Sequence, residues 1–261
     1  MSDLRVLQVR PDRFANWQDD LRTFEERFEY PLGDDHFHID HGEDYLAFFR
    51  RLGEPAPFLA TVARRVVGVL VAVRRRVGRR EGWYLCDLKV DPVYARYRAA
   101  TRLLTSWARA HLQDGEPVFG VSMNPARGDN RLVRAMRRWR ADELSHAPIV
   151  LYSLSHEQWL DRADEITAAL GPIGWFDPHG VKDIVLRSSG APMPLLHAQH
   201  GPFARANAEA RAGAVHMFCL PADDVLVERM RQRGLRPDAT ATIVHRDADG
   251  ANWRHLLSSD I

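Results

Sequence analysis

The run of this chain best suited to chemistry lies between Leu85 and Leu104. It reads Leu-Cys-Asp-Leu-Lys-Val-Asp-Pro-Val-Tyr-Ala-Arg-Tyr-Arg-Ala-Ala-Thr-Arg-Leu-Leu. An apolar strand ends at Pro92, a short basic turn follows, and a helix opens near Tyr97. A helix start presents backbone N–H groups without intrahelical partners and the positive end of the helix dipole, a combination that suits a phosphate. Arg96 and Arg98 add guanidinium donors beside those groups. The small residues Ala99 and Ala100 let a ligand approach the backbone. The alternative role for the same residues is a basic, solvated helix start.

A second concentration of reactive side chains is Asp34-Asp35-His36-Phe37-His38-Ile39-Asp40-His41, followed by Glu43 and Asp44. Imidazoles and carboxylates at close spacing can ligate a divalent ion. These spacings match no known ligand set, the segment reads as a solvated loop, and no metal is expected. Its acids would suit contact with a cationic amine. His197 and His200 form a weaker pair, read as loop or strand-end residues. The arginines 74–76, 79 and 80 read as a solvated hairpin tip, since no aromatics are interleaved with them. There is no P-loop, no H-E-x-x-H and no G-x-S-x-G.

These groups must be positioned by elements whose pattern is legible. Leu4 to Val9 alternates like a strand. Phe14, Trp17, Leu21, Phe24 and Phe28 recur at helical spacing behind a capping Asp12. A second helix is expected over 43–52. Strands are expected over 58–62, 66–73 and 83–90, then a helix over 97–112, a strand over 118–123, a helix over 130–139 and a strand over 149–154. Strands joined through strand–helix–strand units imply a mixed α/β sheet with helices on both faces. A polar helix over 156–170 then ends at Gly171-Pro172, which gives the expected domain boundary: 1–155 and 156–261. Beyond it, strands are expected at 184–186, 194–198, 215–220 and 240–245, with helices over 203–212 and 223–233. Pro125-Ala126, Asp129, Leu132-Val133 and Met136-Arg137 are echoed by Pro221-Ala222, Asp223, Leu226-Val227 and Met230-Arg231. This echo leaves open a degenerate second copy of the same unit.

Composition sets the outer limits. The 261 residues are 45% hydrophobic and 27% charged, with a net charge of +1. That is ordinary for a folded protein and offers no global field for nucleic acid or a membrane. No run of about 18 apolar residues occurs, and Met1 to Arg10 has no apolar stretch of signal length. A cytoplasmic protein is expected. Cys86 and Cys219 read as reduced, buried thiols.

The 85–104 run resembles the acetyl-CoA-binding motif of the GNAT N-acetyltransferase superfamily. Leu88, Val90 and Pro92 match its strand, and Ala100 matches its final small position. Ala95 stands where the family has Gln or Arg, and Arg98 where it has Gly. The order of elements from Leu4 to about Leu154 carries the resemblance further. It implies a GNAT-like acyltransferase fold, in tandem if the echo is structural. Acetyl-CoA or another acyl-CoA would be the donor. The pantetheine would lie along Leu88 to Val90, and the pyrophosphate on Arg96, Tyr97, Arg98, Ala99, Ala100 and Thr101, with Asn130 nearby.

The resemblance further implies that Asp87 is the proton acceptor and that Asn124 holds a water or the acceptor, a small-molecule amine. At the position of the family's thiolate-protonating tyrosine stands Arg137. The C-terminal part, without a coenzyme A turn of its own, would pack on the first part, shape the acceptor cleft or mediate a homodimer. Two other readings stay open. One is a GNAT-shaped module that binds acyl-CoA without turnover. The other is an acyltransferase fed by a carrier protein or aminoacyl-tRNA.

Overall fold

The computed structural model describes residues 4–32, 34–125, 130, 133–134 and 144–261. The chain is mixed α/β and forms two compact units, Met1–Val118 with His179–Met193, and Phe119–Pro178 with Pro194–Ile261.

In the first unit, β1 (Arg5–Gln8), β4 (Glu54–Val62), β5 (Arg65–Val77) and β6 (Arg80–Val90) form an antiparallel run in the order β1-β4-β5-β6. Helix α3 (Ala99–His111) covers one face, where Ala99, Leu103 and Trp107 pack against Phe58, Leu70 and Trp83. Each such large apolar side chain contributes roughly 1.5–3 kcal/mol when buried. Leu21 and Phe24 of α1 (Gln18–Glu25) and Phe48 and Phe49 of α2 (Ala47–Leu52) are buried likewise, and both helices pack on β5. A 3-10 turn over Pro11–Trp17 leads into α1, with Pro11 at its first position and Arg10, not Asp12, at the N-cap.

A smaller sheet has the order β10-β3-β2, from β2 (Tyr30–Leu32), β3 (Asp35–Asp40) and β10 (Asp183–Leu186). Here the expected solvated loop over 34–41 is corrected to a strand. Its partners are Leu32 to Tyr30 on one side and Asp183 to Leu186 on the other. The second partner lies far downstream, so no local pattern announces it.

In the second unit the strands run β7 (Val118–Met123), β13 (Ala239–Arg246), β8 (Ser145–Leu154), β12 (Val215–Pro221), β11 (Leu195–Gln199) and β9 (Gly174–Phe176). Helices α4 (His156–Leu170) and α5 (Val225–Gln232) cover one face through Trp159, Ile166, Leu226 and Met230. A strand precedes and a strand follows each of the two echoed segments. β7 leads to β8 and β12 leads to β13, yet β13 neighbours β7 and β8 pairs with β12. Each copy's closing strand therefore sits beside the other copy's opening strand. This exchange also moves the division between units to Val118, away from the 155/156 boundary read from the sequence. Of the helix expected over 130–139, Asn130, Val133 and Arg134 fall among the described residues, and the last two are helical. Arg137 and the echoed Ala126, Asp129, Leu132 and Met136 lie outside them.

The alanine-rich helix expected over 203–212 is absent. A single 3-10 turn, Gly201–Phe203, is followed by extended chain. The N–H groups of Asn207 and Ala208 donate to the Trp175 carbonyl at 2.8 and 3.1 Å. Tertiary pairing thus outbids alanine's helix propensity.

Candidate functional site

The turn after β6 builds an anion-ready helix start. Asp91 accepts from the Val93 N–H at 3.0 Å and opens a 3-10 turn over Pro92–Tyr97. Arg98 then stands at the N-cap of α3 in the left-handed conformation, φ 56° and ψ 36°. A residue with a Cβ adopts this conformation only at a cost of about 1–2 kcal/mol. The glycine of the resembling motif would adopt it freely. Arg98 gives α3 no side-chain cap, so no acceptor from that residue competes for the N–H groups of the first turn. α4 and α5, by contrast, are capped by Ser155 and Asp224. Arg96 lies over the Tyr97 ring at 4.8 Å. Ala99 is buried, while Arg96, Tyr97 and Arg98 are exposed. Leu88, at 39% exposure, stands out from the stretch 82–90, whose other residues are buried or half-buried.

A bulge in β6 sets which side chains face α1 and α2. The register pairs Val71 with Asp87 and Ala72 with Leu85, so Cys86 is the extra residue. Its thiol donates to the Val71 carbonyl at 3.2 Å. Leu85 and Val90 both pack on the α3 side, although an unbroken strand would turn residues five apart to opposite faces. The shift leaves Asp87 and Lys89 together, buried on the opposite face.

There they meet a cluster that sequence reasoning assembled only in part. Lys89 Nζ lies 2.6 Å from Glu25 Oε2 and 3.3 Å from Asp87 Oδ1. Tyr45 Oη lies 2.7 Å from Glu25 Oε1 and 2.6 Å from Asp87 Oδ2. Tyr45 is held by Gln18, whose Oε1 accepts from its N–H at 3.0 Å and whose Nε2 donates to the Gly42 carbonyl at 3.0 Å. Gly42 is required where it is: at φ 65° a Cβ would come within 2.2 Å of the Gly180 carbonyl oxygen. Next to it, the buried ring of His41 packs tilted against Tyr45 and Phe49 at 4.3 and 5.4 Å between centroids. Its nitrogens make no hydrogen bond of good geometry, although the Val181 backbone lies beside the ring.

The electrostatics follow from burial and from Lys89. Burial raises Glu25 above the usual carboxylate range, the charge of Asp87 adds to this, and Lys89 opposes it. For Asp87, burial pushes upward, but the Lys89 ammonium and the hydrogen bonds outweigh it, so this carboxyl sits below its ordinary value. Lys89 loses stability as an ion through burial and regains more from Asp87 and Glu25, so it stays charged. Burial, with Lys89, depresses His41 to about 3. Glu25, His41 and Asp87 bring ligand-type atoms within 4.8 Å of one another. The Lys89 ammonium already bridges both carboxylates, so the cation position is filled from within. As it stands, the cluster is an ion-pair network centred on Lys89.

Two groups expected at the site are otherwise engaged. Asn124 Oδ1 accepts from Asn130 Nδ2 and Thr242 Oγ1, both at 2.8 Å, and its Nδ2 donates to Thr240 Oγ1 at 2.9 Å. Asn130 Nδ2 also reaches the Ser122 carbonyl at 3.1 Å. Both side chains therefore hold the end of β7. Asn124 belongs to the second unit and Asp87 to the first. His36 and His38 lie on β3, and His197 Nδ1 meets Ser258 Oγ at 3.0 Å. Glu25, Tyr45 and Lys89 were missed. The signals for two of them were present: a charged i, i+2 pair, Asp87 and Lys89, in an apolar strand, and Glu25 four residues after Leu21 on the apolar stripe of α1.

No family model matches the chain, and no curated protein matches it. Solved structures do. One is an aminoglycoside acetyltransferase from an uncultured soil metagenomic sample, at 18% identity over 53% of this chain and 86% of that one, with a TM-score of 0.34. Another is the ribosomal-protein alanine N-acetyltransferase of Escherichia coli, at 14% identity over 56% and 81%, with a TM-score of 0.38. A third is a glucosamine N-acetyltransferase region of a fungal multi-domain β-N-acetylglucosaminidase, at 12% identity over 94% of this chain and 38% of that one, with a TM-score of 0.45.

Proposed function

We propose that this chain is an N-acyltransferase that moves an acetyl or other acyl group from coenzyme A to the amine of a small molecule. The observation that carries the reading is the start of α3. A left-handed Arg98 replaces a side-chain cap, and Arg96 and Arg98 stand exposed beside the first-turn N–H groups. Such a start binds diphosphate through backbone dipoles and guanidinium donors. Leu88 to Val90 of β6 would carry the pantetheine toward Asp87. In the reaction the amine nitrogen attacks the thioester carbonyl, the C–S bond breaks and the thiolate leaves. Asp87 takes the proton lost by nitrogen, and a proton passes back from Asp87 to the departing thiolate, which restores the carboxylate.

The test is titration with acetyl-CoA and longer acyl-CoAs while following thermal stability, because a ligand of the folded state raises the melting temperature. A saturable shift supports the donor class. No shift with any of them removes it. A second reading, donor binding without turnover, is favoured by the grip of Tyr45 and Lys89 on Asp87. Release of coenzyme A thiol in the presence of amines separates the two.

A further inference from the structure

The contacts of Tyr45 raise a proton count that the residues alone do not balance. One hydroxyl has one hydrogen, yet Oη lies at hydrogen-bond distance from carboxylate oxygens of both Glu25 and Asp87. With both acids ionised, one of these buried O···O contacts would have no proton between its atoms, which is repulsive in a low-dielectric site. A second proton on a carboxyl satisfies both contacts. Charge agrees. Two carboxylates against the single Lys89 ammonium leave one negative charge in excess, and one proton brings the buried group to neutrality.

Among the described residues, the other titratable groups facing the two carboxylates are neutral or are cations that contact other groups. Tyr30 of β2 is a phenol pushed up to about 12, mainly by burial. The Cys86 thiol is held protonated by burial. His41 is buried as the neutral ring. Lys182, which acts on His41, lies over the Phe48 ring at 4.3 Å. At the end of β6, Arg27 is paired with Asp91 at 3.0 Å.

We propose that Glu25, Tyr45 and Asp87 form a chain that shares one proton, with Lys89 as its fixed counter-charge, and that this chain sets the protonation of Asp87. Its two forms differ by a concerted shift. In one, the Glu25 carboxyl donates to Tyr45 Oη, whose hydroxyl donates to ionised Asp87. In the other, Asp87 holds the proton and donates to Tyr45, whose hydroxyl donates to ionised Glu25. The two forms carry the same total charge; the first can accept a proton at Asp87 and the second can deliver one, each step changing the charge of the cluster by one. Glu25 and Tyr45 are positioning residues that act through Asp87. The catalytic part of this inference rests on the acyltransferase reading; the shared proton does not.

Infrared spectroscopy of the full-length protein at neutral pH tests the proton directly. We expect one buried protonated-carboxyl band that is lost in Glu25→Gln and displaced in Tyr45→Phe, where the bridge is gone. Absence of any such band, or its persistence in Glu25→Gln with the fold retained by circular dichroism, overturns the proposal. Should Glu25→Gln fail to fold, isotope-edited glutamate in the wild type assigns the band instead. Thiol release from acetyl-CoA then tests the link to catalysis. Tyr45→Phe should move the pH midpoint of turnover by about one unit or more, a tenfold change in protonation at fixed pH. An unmoved midpoint refutes the link. Failure of the wild type to turn over any amine refutes the acyltransferase reading and leaves the infrared result standing.

Discussion

Replacing His41 by phenylalanine isolates one buried titration. The ring is 5% exposed, packs against Tyr45 and Phe49, and has no hydrogen bond of good geometry to lose. Phenylalanine fits the same aromatic surroundings. The histidine has a folded pKa of about 3 against an ordinary 6.5. Its folded value is depressed, so the unfolded chain binds more protons than the folded one between these values. The stability from the neutral ring is complete above pH 6.5 and erodes as pH falls toward 3. At about 1.4 kcal/mol per unit, the step from 6.5 to pH 5 costs about 2 kcal/mol. Urea unfolding at pH 8 and pH 5 measures the loss in both proteins. His200, depressed to about 4 by burial, and the other buried histidines contribute equally to each. The variant should lose about 2 kcal/mol less than the wild type over this interval. An equal loss in both would mean that His41 is not held neutral, and the account of its enclosure by Gly42 and the 179–193 segment would fail with it.

Three further substitutions probe separate links. Arg98→Gly relieves the left-handed strain and should raise unfolding stability by about 1 kcal/mol, while reducing the thermal shift produced by acyl-CoA; a loss of stability would contradict the backbone argument. Lys89→Met leaves Glu25 and Asp87 without their cation and should destabilise by about 3 kcal/mol or more at neutral pH. Part of that loss should return at pH 5 as the carboxyls take up protons, and a pH-independent loss would point to packing alone. Ser155→Ala removes the capping box of α4, in which Ser155 Oγ accepts from the Gln158 N–H at 3.2 Å, and should cost about 1 kcal/mol in chemical denaturation; no change would show that the cap is exposed and replaceable by water.

Much of the fold was legible because it is written in local pattern. The strand, turn and helix of 83–112 follow from an apolar run, a proline and a repeat of Leu103 and Trp107, and the structure has them within a few residues. What was illegible depends on partners distant in sequence. β3 exists because Asp183 to Leu186 pairs with it, and the 203–212 segment is extended because Trp175 captures its N–H groups. The same holds for the site. Asp87 could be singled out as an acid in an apolar strand. That it would share Lys89 with Glu25 depends on a one-residue bulge at Cys86, which inverts the facing of everything after it. A bulge has no reliable signature in composition, so the cluster could be inferred only as separate parts.

The second unit shows why one helix start, and not two, should take the donor. Its parallel strands β11 and β12 pair over Leu195 to His197 and Val215 to Met217 and then continue to Gln199 and Pro221. Residues at and beyond the end of that register are already engaged by the segment Leu256–Asp260. Gln199 Nε2 donates to Ser259 Oγ at 3.0 Å, Cys219 Sγ donates to the Leu256 carbonyl at 3.3 Å, and Ser258 Oγ donates to the Met217 carbonyl at 3.1 Å. Leu256 to Asp260 are all buried. The helix after β12 begins at Asp224, whose carboxylate accepts from the Leu226 N–H at 2.9 Å and pairs with Arg254. An anion arriving there would meet a carboxylate already in its place, whereas at α3 it would meet Arg98. The helix start after β12 thus lacks the feature on which phosphate binding at α3 turns, and acyl-CoA should bind with a stoichiometry of one per chain.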